Sequence, residues 1–212
     1  ALSEVIKKKG YIVWGIEGEE QVASVASSRI DKVINADLTD LPEIKKEIKE
    51  RVFDYLVFSD VLEHVYDPFS ILKEYSIFLK TAGFLLISVP NIAAWSVRLK
   101  LLFGRFNYTD TGILDRTHIR FFTFTTAKTL VKEPGCSIVK LDYTPFIIRA
   151  VLPLIKKIIS KNADSSELNK RLLIDSPIYN FYLKCIYPIE YWLAYLFKPF
   201  FAFRIIIVGK KL

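Results

Sequence analysis

The chain has 212 residues, 51% of them hydrophobic and 25% charged, with a formal net charge of +7. This is enough apolar content for one domain with a sizeable core, and no apolar run reaches the length that crosses a bilayer. The basic residues form no stripe with interleaved aromatics, so no nucleic-acid partner is expected.

Ala1 to Lys9 reads as the tail of a helix with Leu2, Val5 and Ile6 on one face, and Gly10 ends it. It is short, amphipathic and rich in lysine, unlike a signal peptide. Tyr11 to Ile16 reads as a buried strand ending at Glu17, Glu19 to Ser28 as a helix, and Lys32 to Asn35 as a strand followed by Ala36-Asp37-Leu38. Leu41 to Glu50 is a charged linking helix. Phe53 to Phe58 is apolar almost throughout, as a strand buried on both faces would be. It ends in Ser59-Asp60. Pro68 to Leu79 has the helical stripe Phe69, Leu72, Tyr75 and Leu79, and Thr81-Ala82-Gly83 reads as its stop, with Gly83 as C-cap. Phe84 to Val89 is the next strand, closed by Pro90-Asn91.

Ala93 to Leu102 reads as a basic amphipathic helix with apolar Trp95, Leu99 and Leu102 and cationic Arg98, Lys100 and Arg105. Gly104 to Arg116 is a polar loop, Thr125 to Val131 a helix, and Ser137 to Tyr143 a strand. From Pro145 to Pro199, apolar clusters alternate around the polar patch Lys161 to Lys170. One reading is a helical hairpin packed on the domain. The other is a lid, a dimer face or a membrane-surface patch of Tyr, Trp, Phe and Lys. Phe203 to Val208 is a last buried strand. Alternation of helix and strand through the first half predicts an α/β fold with adjacent parallel strands and right-handed crossovers. The two cysteines, Cys136 and Cys185, lack metal or redox spacing and read as reduced core thiols of a cytoplasmic protein.

Three segments, FDYLVFSDVLEHVYDP, LKTAGFLLISVPN and LDRTHIRFFT, in this order, resemble class I S-adenosylmethionine-dependent methyltransferases of the small-molecule and glycan-cluster branch. The likeness extends over most of residues 1–145. It implies a Rossmann-like, doubly wound, mostly parallel sheet with an antiparallel C-terminal strand and a helical insertion. The domain would comprise 1–145 and 200–212, and the insertion 146–199. It also implies a first strand and glycine-rich turn immediately before Ala1, cradling the methionine end of the cofactor. The chain contains no methionine, where ordinary usage expects several, and is read as beginning partway through such a fold.

For the cofactor S-adenosylmethionine, the resemblance implies Glu17 on the two ribose hydroxyls, which suit a carboxylate's two oxygens. It places Asp37 on the adenine amino group and the backbone N–H of Leu38 on a ring nitrogen, with Ser59 and Asp60 facing the methionine portion. Read from the residues alone, Glu17 could instead be a solvated helix cap beside Glu19 and Glu20, although its place at a strand end favours the ribose role, and Asp37 could cap the Leu41 helix unless Asp40 serves there.

Methyl transfer from a sulfonium is an in-line displacement that needs positioning and often removal of the acceptor's proton. Glu63, His64 and His118 are the candidate catalytic groups, His64 and His118 being the only histidines of the chain. Histidine suits a general base, although His64 could simply brace the turn. Asp60, Glu63, His64 and His118 also resemble the acidic-and-histidine metal set of some RNA-end and quinone-precursor methyltransferases, leaving the use of a metal open. Arg116 and Arg120 flank His118 and would suit an anionic acceptor such as a nucleotide-sugar phosphate, or would pair with Asp110 and Asp115. The expected activity is methyl transfer from S-adenosylmethionine to a small molecule or a glycan precursor. The alternative is a non-catalytic Rossmann-like module serving as a binding partner or membrane-associated scaffold.

Overall fold

The structure is a computed structural model, and it describes residues 2–145 and 182–212. The chain forms two compact units, residues 1–53 and 54–212.

In the first unit, α1 (Leu2–Lys8) ends at Gly10, whose φ of +90° is the left-handed turn that glycine permits. Strand β1 (Trp14–Glu17) pairs in parallel with β2 (Lys32–Asn35), Glu17 opposite Asn35. Helix α2 (Glu20–Ser27) crosses between them, and α3 (Leu41–Ile48) follows. Leu41, Ile44 and Ile48 of α3 are buried, as helical spacing requires. Asp40 caps α3 by accepting the Glu43 N–H at 3.3 Å. The first strand is shorter than its apolar run: Tyr11 and Ile12 are exposed, and Val13 is held instead by the Asp31 side chain.

In the second unit a four-stranded sheet has the order β3-β4-β6-β5. Its strands are β3 (Phe53–Ser59), β4 (Leu79–Pro90), β5 (Cys136–Pro145) and β6 (Ala202–Lys211). The last strand of the chain inserts between β4 and β5 and runs antiparallel to both, as expected. Helices α4 (Pro68–Tyr75) and α6 (Phe124–Lys132) cover the sheet with Leu72, Tyr75, Ala127, Leu130 and Val131, over Leu85, Ile87, Val89, Ile205 and Ile207, all buried. Helix α5 (Trp95–Leu102) rests on a smaller cluster of Ala94, Val97, Ile113 and Leu114. Helices α7 (Tyr187–Leu196) and α8 (Lys198–Phe201) lead into β6.

Several expectations are corrected. The strands do not form one ladder: β1 and β2 make a sheet of their own. Among the described residues no strand pairs with both β1 and β3. β3 is not buried on both faces. It is the edge of its sheet, with Tyr55 and Val57 49% and 44% exposed. Gly83 is no helix cap. The helix stops at Tyr75, a 3-10 turn follows, and Gly83 lies inside β4. Glycine is required there by close approach, since a Cβ would sit 2.8 Å from Lys80 O and 3.1 Å from Asp54 O. The buried stripe of α4 uses Ile71 rather than Phe69. On α5 only Val97 is buried, whereas Leu99 and Leu102 face outward. Cys136 is a core thiol, but Cys185 is exposed. Most of the 146–199 segment lies outside the described residues. No helix among the described residues is long and apolar enough to cross a membrane.

Candidate functional site

The second unit gathers its polar groups where β3 and β4 end, the edge at which open α/β sheets bind ligands. β3 leaves the sheet through Asp60, whose φ of +53° is unusual for a side-chain-bearing residue. The Asp60 N–H is held by Ser88 O at 3.0 Å, and its carboxylate accepts from Ser88 Oγ at 3.0 Å. Ser59 Oγ lies 3.5 Å from the same Ser88 hydroxyl. This bend delivers a 3-10 turn, Leu62–His64, pinned by fully buried Leu62. At the end of β4, buried Asn91 donates to Pro199 O and Ala202 O and accepts from the Ala93 N–H. These bonds fix the start of β6 to the end of β4.

The two histidines, far apart in sequence, meet here. Glu63 O accepts both the Ile119 and the Arg120 N–H, at 2.9 and 3.0 Å. These two bonds clamp the loop bearing His118 onto the turn bearing His64. The rings stand 4.8 Å apart, edge to face at 71°. His64 Nδ1 lies 3.1 Å from Thr117 O, and His118 Nδ1 lies 3.0 Å from Ile113 O. A carbonyl only accepts, so these contacts assign a proton to each Nδ1, and in the neutral ring the lone pair is on Nε2. His118 Nε2 is 4.0 Å from Glu63 Oε1. His118 is buried at 8% exposure and Glu63 at 1%, while His64 is exposed.

Glu63 Oε2 is buried with no hydrogen-bond partner. Burial pushes this carboxyl up to about 7. Its own backbone N–H opposes the rise, the nearby Asp60 charge adds to it, and Arg204 again opposes it. The sign of the consequence is fixed. Below the unfolded value of 4.5 the acid is neutral in both states and costs nothing. Ionised burial then erodes stability as pH rises through about 7. Glu63→Gln is therefore expected to flatten the pH dependence. Stability lost by the wild type between pH 4 and pH 8 should exceed that lost by the variant by about 3 kcal/mol. Chemical denaturation of metal-free protein at the two pH values checks this, and equal losses would rule it out.

One ligand atom from each of Glu63, His64 and His118 lies within 4.8 Å of the others. A carboxylate and two imidazoles with free Nε2 atoms, their Nδ1 atoms oriented by backbone carbonyls, are a suitable donor set for a divalent ion. Asp60 does not join them. Its carboxylate is taken by Ser88 and by Arg204 Nη2 at 2.9 Å. Arg116 and Arg120 are also committed to the protein. Arg116 pairs with Asp110 at 2.6 Å, and Arg120 donates to Tyr66 O and stacks on the Tyr66 ring.

In the first unit, the parallel pairing of β1 and β2 brings Glu17 and Asp37 to one sheet edge. Glu17 Oε1 accepts the Glu19 N–H at 3.1 Å, and Asn35 Nδ2 holds Glu17 O at 2.8 Å. Gly18 follows, where a Cβ would make only ordinary contact, 3.8 Å from Ala36 O and Asp37 Cα. Asp37 Oδ1 accepts both the N–H and the hydroxyl of Thr39, at 2.8 and 2.5 Å. The hydroxyl, then the N–H, holds the acid below the usual carboxylate range. Leu38 lies within that turn. Because Asp40 caps α3, Asp37 is not spent on the helix.

Sequence reasoning missed Arg204, the lone charge in the run FFAFRIIIVG. A single arginine in an otherwise apolar strand was the available signal. Because β6 is antiparallel, its first residues lie at the carboxyl end of β4, with Arg204 opposite Pro90.

Comparison with known proteins agrees with this arrangement. The profile described as "Methyltransferase domain" matches residues 1–141. A ubiquinone biosynthesis O-methyltransferase of Coxiella burnetii is 31% identical over 93 residues, covering 42% of this chain and 39% of that protein. The chain thus aligns with about two fifths of the curated relatives it matches. A SAM-dependent methyltransferase of Archaeoglobus fulgidus superposes with a TM-score of 0.58 at 18% identity, over 98% of this chain and 80% of the other. One from Methanosarcina mazei gives 0.55 at 15% identity, over 98% and 85%. With two thirds of its length matched by that profile and its fold shared with these structures, the chain belongs to the methyltransferase domain family, the class I enzymes whose cofactor is S-adenosylmethionine.

Proposed function

We propose that the protein transfers the methyl group of S-adenosylmethionine to a hydroxyl of a small molecule, a glycan or nucleotide-sugar precursor being included in that class. The observation that carries this reading is the convergence of Glu63, His64 and His118 at the carboxyl edge of the sheet in a member of this family. The ubiquinone-biosynthesis relative, an O-methyltransferase, favours a small hydroxylated acceptor over a polymer.

The bound cofactor supplies an electrophilic methyl group on a sulfonium. The residues fit it: Glu17 closes β1 with Oε2 left for a ribose hydroxyl, and Asp37 stands at the neighbouring strand end with its second oxygen outward of the Thr39 turn. His64 is exposed and takes the acceptor's proton on Nε2, its Nδ1–H anchored on Thr117 O. His118 and Glu63, both buried, hold the acceptor oxygen in line and exclude water on that side. A second reading is supported by the same triad: a divalent ion on Glu63, His64 and His118 would bind the acceptor oxygen and lower its pKa.

Glu17→Ala tests the cofactor half. Loss of charge-assisted bonds to the ribose is expected to weaken S-adenosylhomocysteine at least about tenfold, with the unfolding temperature unchanged. Calorimetry showing the same Kd would place the ribose elsewhere. Failure of the full-length protein to bind S-adenosylhomocysteine or S-adenosylmethionine would favour a non-catalytic binding module instead.

A further inference from the structure

We infer that Arg204 is a carboxylate-binding residue of this site. Three observations carry the inference. The guanidinium is 38% exposed at the carboxyl edge of the sheet, on the side of Ser88 and Pro90, which share its face by register. Asp60 is the one acceptor for its five N–H groups among the described residues, through a single 2.9 Å contact, and Nε is buried without a partner. The two arginines that flank His118 have partners of their own: Arg116 pairs with Asp110, and Arg120 donates to Tyr66 O.

An arginine that served only the fold would be expected to have its fork filled, since an unmet donor beside a charged group is costly. Here the protein holds one Nη, leaves the side chain partly exposed and leaves Nε unmet. A planar fork with two parallel donors matches a carboxylate better than any other common small anion group except phosphate. The site favours the smaller, singly charged group. Asp60 already stands beside the arginine, so a dianion would meet more repulsion than a carboxylate. The carboxylate has two sources, the amino-acid end of the cofactor or a substituent on the acceptor. The inference thus deepens the methyl-transfer reading by naming an ionic handle on one of its two ligands.

The test compares wild type, Arg204→Gln and Arg204→Lys by calorimetry, with thermal unfolding as the folding check. Three probes are used: S-adenosylhomocysteine, 5′-methylthioadenosine (the same nucleoside thioether without the amino-acid carboxylate), and benzoate in the presence of saturating 5′-methylthioadenosine. If the cofactor supplies the carboxylate, Arg204→Gln weakens S-adenosylhomocysteine at least about tenfold and leaves 5′-methylthioadenosine unchanged. If the acceptor supplies it, only benzoate is weakened. In either case Arg204→Lys, which keeps the charge but loses the fork, falls between the other two proteins. Equal weakening of 5′-methylthioadenosine and S-adenosylhomocysteine would mean that Arg204 merely holds Asp60 in place, and overturns the inference. So would no change with any probe, or absence of carboxylate binding by the wild type. Should the glutamine variant not fold, the lysine variant against wild type gives the same discrimination. A wild type that binds benzoate through Arg204 yet neither nucleoside would sink the methyl-transfer reading and leave the arginine site standing.

Discussion

His64→Ala and His118→Ala are each expected to lower turnover by about 100-fold or more, with the Kd for S-adenosylhomocysteine changed by less than about twofold. The expectation follows from where the side chains lie. Neither ring is on the unit that carries Glu17 and Asp37, so the nucleoside contacts should survive their loss. Both rings present a lone pair into one cluster, so the acceptor's proton should lose its destination when either is removed. Methyl transfer from labelled cofactor to a panel of phenols and nucleotide sugars gives the rate. Thermal unfolding separates chemistry from collapse, which matters for His118 because it is buried. A chelator arm divides the two mechanistic readings. If a cation serves the triad, wild-type turnover falls on chelation and returns with magnesium or manganese, while the alanine variants respond to neither. Turnover that persists in both variants would remove the triad from the chemistry.

Gly209→Ala is expected to destabilise the protein by about 2–3 kcal/mol, near the upper end of the cost of overpacking. This corresponds to a fall of roughly 5–10 °C in Tm for a chain of this size. Gly209 lies in the central strand β6, opposite Leu85 and Ile138. A Cβ there would run into the Val131 methyl of α6 and sit 3.1 Å from Cys136 Cβ. Val131 is fully buried and cannot swing aside. The double variant Gly209→Ala with Val131→Ala should therefore lose less than the sum of the two single losses, because truncating the valine opens the space the new methyl needs. A thermally silent Gly209→Ala, or strict additivity, would show that α6 does not bear on the strand as described.

Much of the second unit was legible in the sequence. Apolar runs of strand length, each ending in Ser-Asp or Pro-Asn, placed β3 and β4 and their polar carboxyl ends to within a few residues. The isolated run at the C-terminus placed β6, and the family resemblance implied its antiparallel sense. The two histidines were read as converging because the turn after β3 and the loop after β4 emerge from the same edge. The misreadings have physical causes. Thr81-Ala82-Gly83 carries the residue types of a helix stop, but the glycine answers a backbone approaching from Asp54, which no local pattern reveals. An apolar strand is the same string whether it is central or at an edge, so β3 was taken for an interior one. Arg204 escaped because a charge in an apolar run has meaning only once its neighbour across the ladder is known. Glu63 was visible as an acid, but its buried, unpartnered oxygen was not, because its environment comes from His118 on a distant loop.

The two margins of the larger sheet are finished differently. β5 is broken by a register shift between Ile138 and Lys140 and shows a lysine outward, features that discourage another strand from docking. β3 has neither. Between Asp54 and Ser59 it shows Tyr55 and Val57, with no proline or lysine in its length. Apart from the exposed Asp54, an edge of that kind leaves its backbone groups open to one more strand. Of the two margins, β3 is therefore the one that can take another strand, and β5 the one at which the sheet stops.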